Sequence, residues 1–139
     1  MQVDLFFFMA VCAGGGLGAM ARAALSSWIS RHAHVAWATL AVNLSGSAAL
    51  GLACGALMAQ SGGVVLSGMM EAAPPALAVF ALGVLGGYTT VSTLALQVLM
   101  QWQAGRRRAA CANALGSVLS GPVVTVLGLA IGVALVRGA

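Results

Sequence analysis

A chain of 139 residues that is 61% apolar and 6% charged, with a mean hydropathy of +1.03, carries more apolar surface than one water-soluble core of that size can hide. Its net charge of +4 comes from six basic residues, all arginine, against two carboxylates, Asp4 and Glu71. The composition excludes a soluble enzyme or a soluble nucleic-acid-binding domain and makes the bilayer the expected solvent.

Four apolar stretches, at about 4–26, 35–60, 73–103 and 108–136, each cover the ~20 residues that a spanning helix needs. They predict a single all-α transmembrane domain over 1–139. The first stretch has only Asp4 as a charge before it and lacks the basic start of a cleaved signal, so it is expected to be retained. Within it, Gly14-Gly15-Gly16-Leu17-Gly18 superficially matches a dinucleotide loop, but no strand precedes it and the surroundings are apolar. Arg22 and Arg31 lie in or beside the first connection, with His32 and His34. The second stretch carries Thr39, Asn43, Ser45 and Ser47.

The third stretch contains the segment that matters most: Gly86-Gly87-Tyr88-Thr89-Thr90-Val91-Ser92-Thr93, glycine-led and dense in hydroxyls. Backbone at that depth has no water to bond, so a helix broken there normally lines a cavity, holds an ion or packs within protein. Gln97 follows one turn later. Arg106, Arg107 and Arg108 fill the third connection, where basic residues set topology or meet lipid headgroups more often than nucleic acid. With Glu71 alone in the second connection and Arg137 alone at the C-terminal end, connections one and three are expected in the cytoplasm and both termini outside. The fourth stretch adds Asn113, Ser117, Ser120 and Thr125.

Pairs of glycines four residues apart, Gly14/Gly18, Gly51/Gly55, Gly83/Gly87 and Gly128/Gly132, predict flat helix faces and close backbone packing. Cys12, Cys54 and Cys111 are odd in number, far apart and in apolar surroundings, which suits packing rather than disulfides or a metal site. Neither carboxylate lies deep in a stretch, and no nucleophile has a base beside it. Enzyme chemistry and proton-coupled transport are therefore disfavoured. What the spans do offer is neutral donors, hydroxyls and amides, which can replace part of an anion's hydration shell without a countercharge to trap it. A small anion is the expected guest, with Asn43 the hardest of these groups to explain as packing alone.

Three segments together resemble the CrcB/Fluc family of bacterial fluoride channels: Gly15-x-x-Gly18-Ala19-x-x-Arg22, Thr39-Leu40-x-Val42-Asn43-x-x-Gly46, and Gly86-Gly87-x-Thr89-Thr90-x-Ser92-Thr93. The resemblance covers nearly the whole chain. It implies a passive fluoride-selective channel of the bacterial inner membrane that exports cytoplasmic fluoride and reduces its toxicity. It further implies a dual-topology dimer, two copies packed antiparallel, around a structural sodium ion (Na+) that is not transported. By residue, it assigns the backbone carbonyls of Gly86 and Thr89 to the sodium. It places Asn43, Thr93 and Ser117 on the anion pathway and Arg22 in a vestibule; Ser120, beside a family hydroxyl position, and Val91 and Leu94, at the family's ring positions, complete the expected pathway.

The chain also departs from the family pattern. Val91 and Leu94 stand where the family has two phenylalanines, whose positive ring edges can face an anion. Gln97 replaces a glutamate, Asn113 a tyrosine, and Gly121 a hydroxyl position beside Ser120. These changes, together with the arginine asymmetry, leave as alternatives a subunit of a heteromeric channel with a differently oriented homologue, or a non-conducting membrane scaffold. Membrane lipid is an expected partner; nucleic acid is not.

Overall fold

The computed structural model describes residues 5–60 and 74–138. Asp4 and Glu71 lie outside the described residues. Among those residues all regular structure is helical: α1 (Leu5–Ser30), α2 (Val35–Gln60), a third span in two pieces, and α5 (Arg107–Arg137). We term the pieces of the third span α3, built from Pro75–Ala78, the π-helical Val79–Leu85 and Gly86–Tyr88, and α4 (Ser92–Gln103). Four spans are thus long and apolar enough to cross a membrane.

The fold is inside-out relative to a soluble bundle. Large side chains such as Phe6, Trp37, Leu119 and Leu135 are more than half exposed, as helices solvated by lipid tails require. The buried hydrophobic residues are few and small or medium in size: Ala38, Val42, Leu85, Leu94 and Ala110. What fills the interior is backbone, brought together by glycine.

The helices pair as α1 with α3 and α2 with α5. A Cβ at Gly18 would strike the Val84 carbonyl, and one at Gly87 would strike the Gly15 carbonyl. At the second crossing, Gly51 and Gly55 lie against the carbonyls of Thr125 and Leu129, while Gly128 and Gly132 lie against those of Ala48 and Leu52. All four spaced glycine pairs therefore sit where two backbones touch. With no hydrophobic drive between helices in lipid, dispersion at such approaches is what holds the pairs.

The ends of the spans differ modestly from the sequence boundaries. The first helix continues past the polar Ser26-Ser27 to Ser30, so Arg22 lies inside α1, two turns from its end, and only Arg31 is in the connection. The turn between α4 and α5 is closed by Gly105, whose φ of +74° a side chain would resist. Pro122 falls inside α5. Lacking an N–H, it leaves the Val118 carbonyl without its helical donor.

Candidate anion site at the break in the third span

The third span opens between Tyr88 and Ser92. Thr89 turns the chain extended (φ −80°, ψ 155°), and the helix restarts at Ser92. Gly86, Gly87 and Tyr88 remain helical, so the break is narrower than the hydroxyl-rich segment suggested. No residue of the break has a positive φ.

Asn43 of α2 holds the opening in place. Its Nδ2 donates to the Thr90 carbonyl (3.0 Å), and its Oδ1 accepts from the Thr90 amide (2.9 Å). A primary amide presents the same donor and acceptor pair as a peptide group, so Asn43 serves as a substitute strand for one residue. Gly46, one turn further along α2, makes the approach possible, because a Cβ there would meet Thr89 Cγ2 at 2.5 Å. Thr90 Oγ1 then starts α4 by accepting from the Thr93 amide (3.2 Å), and it also lies 3.0 Å from Thr93 Oγ1 and 3.2 Å from Ser92 Oγ.

This clasp has a second effect. In an unbroken helix the Thr90 amide would bond the Gly86 carbonyl; here Asn43 takes it, and no other donor among the described residues reaches Gly86. The Thr89 carbonyl is likewise left free, since the Thr93 amide bonds Thr90 Oγ1. By contrast the Leu85 carbonyl accepts from both Thr89 N and Thr89 Oγ1. Two bare carbonyl oxygens three residues apart are hard donors of the type that coordinate alkali and alkaline-earth cations.

A cleft of about 380 Å³ lies against the break. Asn43, Gly86, Thr89, Val91, Leu94 and Ser117 all line it, so the fold gathers residues from α2, both pieces of the third span and α5. Leu94 is buried and Val91 is 79% exposed, giving the cleft an apolar wall opposite its hydroxyls. Three sequence candidates lie elsewhere. Thr93 connects only through Thr90. The Ser120 hydroxyl donates to the Gly116 carbonyl of its own helix, and Arg22 stands on α1 outside the cleft. Ser47, Gly121 and Val118 line the cleft without having been singled out as pathway residues. Ser47 is among the neutral donors of the second stretch and Gly121 falls at a family hydroxyl position, so both carried a signal.

Gln97 is a tie between helices: its Nε2 donates to Thr39 Oγ1 (2.7 Å) and to the Val35 carbonyl (3.3 Å). Among the described residues no carboxylate, histidine or lysine lines the cleft, and no group of His, Cys, Asp or Glu could hold a metal.

A broken span, freed carbonyls and a partly hydroxyl-lined cleft between the second, third and fourth spans are the features of a multi-pass membrane protein that passes ions. A family model described as "CrcB-like protein, Camphor Resistance (CrcB)" matches residues 9–129, and the chain belongs to that family. It is 37% identical over 135 residues to the fluoride-specific ion channel FluC of Rhodospirillum centenum, covering 94% of this chain and 95% of the relative. It is 36% identical over 132 residues to FluC 2 of Nitrobacter hamburgensis (94% and 96% covered). To FluC of Thermus thermophilus it is 36% identical over 131 residues (93% and 95% covered).

Proposed function

We propose that this chain is a subunit of a passive fluoride channel, and that its working form is two copies packed antiparallel in the bacterial cell membrane. The observation that carries the reading is the cleft at the Asn43–Thr90 clasp, because it sets neutral donors at membrane depth with no fixed positive charge. Ser117 lies in it free of any hydrogen bond to the described residues, and Asn43 keeps one Nδ2 hydrogen unspent after bonding Thr90. An anion can be partly dehydrated there and still leave. The names of the relatives supply the ion, and the apolar contribution of Val91 and Leu94 excludes water from one side of it.

The freed carbonyls of Gly86 and Thr89 suit a structural sodium ion, which would satisfy them and pin the break. Passage needs no fuel. Hydrogen fluoride enters as a neutral acid and ionises inside, and a membrane potential negative inside drives the anion out at ~2.3 kcal/mol per 100 mV.

Fluoride efflux from liposomes containing the purified chain tests the proposal. Efflux well above that of protein-free vesicles, with chloride retained, is the expected result; vesicles that hold their fluoride would end it. The placement of Arg31 and Arg106–Arg108 at one membrane face, against Arg137 at the other, supports a second reading, in which the chain inserts one way and pairs with a differently oriented homologue. An active homodimer from the chain expressed alone would exclude that.

A further inference from the structure

The tryptophans of this chain, Trp28, Trp37 and Trp102, all lie at one membrane face. Trp28 stands in the last turn of α1, Trp37 in the first turn of α2 and Trp102 in the last turn of α4, and each is exposed. The Gln97 bond to the Val35 carbonyl, and a cleft shared by Trp37, Gln101 and Ala109, bring the end of α4 beside the start of α2. The α1–α2 and α4–α5 connections therefore share a side of the bundle. Arg31, Arg106, Arg107 and Arg108 are on that side too, all exposed, whereas the opposite face has Arg137 and no tryptophan among the described residues. Tryptophan ordinarily belts both interfaces, because its ring is apolar and its N–H wants a polar partner. A belt on one side only makes that side the one held at headgroup depth.

The arginines there are not interchangeable. Arg107 is committed to Trp102, its Cζ 5.3 Å from the ring centre. Arg106 precedes the first residue of α5 and Arg108 lies in its first turn. With Gly105, Arg107 and Ala109 they line an open recess of about 500 Å³ that has no acidic side chain in its wall. Neither connection on this face contains an aspartate or glutamate, so the positive charge has no counter-charge supplied from within it. A guanidinium fork matches two oxygens of a phosphate at once. We propose that this face is a binding surface for anionic phospholipid, with the three tryptophans seated among the headgroups and Arg106 and Arg108 holding a lipid phosphate in the recess. A lipid is the occupant because the tryptophan belt sets the recess at the depth where lipid phosphates are concentrated. A zwitterionic lipid offers the same phosphate but adds an ammonium that the arginines repel. The inference does not depend on fluoride passage.

Tryptophan emission of the full chain in vesicles provides the test. In a Trp28→Phe, Trp37→Phe background Trp102 is the remaining tryptophan, so emission reports on the recess. Phosphatidylglycerol and phosphatidylcholine are mixed in equal amounts, and one or the other is brominated on its acyl chains to quench a neighbouring ring. One arginine near an anionic surface strengthens attachment about fivefold, so quenching should show phosphatidylglycerol preferred beside Trp102 by at least about threefold. Arg106→Gln combined with Arg108→Gln should abolish the preference, and Arg137→Gln on the opposite face should leave it intact. Equal quenching by the two lipids overturns the proposal, as does a preference that survives loss of both arginines. Excess inorganic phosphate that erases the preference would make the recess a site for soluble anions and overturn the lipid assignment. Should the paired change block insertion, the unaltered arginines are read in rising salt: screening is expected to remove the preference, and insensitivity to salt would overturn the proposal.

Discussion

Asn43 is the residue on which the geometry of the break turns, and its chemistry makes the aspartate substitution informative. In Asn43→Asp one oxygen can still accept from the Thr90 amide, but the other faces the Thr90 carbonyl, oxygen against oxygen. Losing one buried bond and adding that repulsion should cost about 2–4 kcal/mol, and a negative charge would sit in an anion cleft. The expected outcome is a fluoride flux reduced at least a hundredfold with a lower unfolding temperature; near-normal flux would show that the clasp is dispensable. Asn43 was legible in the sequence as a buried amide that lipid could not satisfy. That its partner is the backbone of Thr90 was not, because nothing in composition or spacing ties two positions 47 residues apart. Ser117 and Ser120 show the same boundary. Both read as pathway hydroxyls, yet the Ser120 hydroxyl is used up on the Gly116 carbonyl of its own helix, which spacing alone does not reveal.

At the scale of elements, hydropathy made the four spans plain, since lipid permits few alternatives to helix, and glycine spacing made their contacts plain. Helix ends were less legible. The first span was expected to end at about residue 26 but continues as helix to Ser30, because α1 is long enough for its last turns to leave the apolar layer. The packing predicts a graded response. Gly51→Leu would drive its side chain into the Thr125 carbonyl and the Leu129 amide, both backbone groups that cannot move aside. Separation of α2 from α5 and loss of a few kcal/mol are expected, seen as aggregation or an early unfolding transition in detergent. Gly16→Ala, where a Cβ meets nothing within 4 Å, should be silent in the same assay.

For the whole molecule the decisive property is charge. All six basic residues are arginine, and Arg107 stacks over the Trp102 ring at 5.3 Å. Orientation reporters fused at the C-terminus of the chain expressed alone distinguish the two assemblies. Signal on both sides of the membrane is expected for the antiparallel homodimer, and signal on one side only for a chain that needs a homologue. Among the described residues the lining of the cleft at the break also lacks any group that titrates near neutrality. Flux at fixed voltage should therefore change less than about twofold between pH 6 and 8 and persist when a proton gradient is collapsed; strict dependence on the gradient would make the protein a carrier.

That absence of titrating groups has a cost for the cell in which such a pore works. Among the described residues nothing in the cleft can bind a proton to throttle traffic. A hole that stays open is tolerable only if the abundant halide, chloride, almost never enters. Discrimination, rather than speed or control, is then the property that natural selection must guard most closely, and Val91, Leu94 and Ser117 are where its slackening would first discharge the membrane.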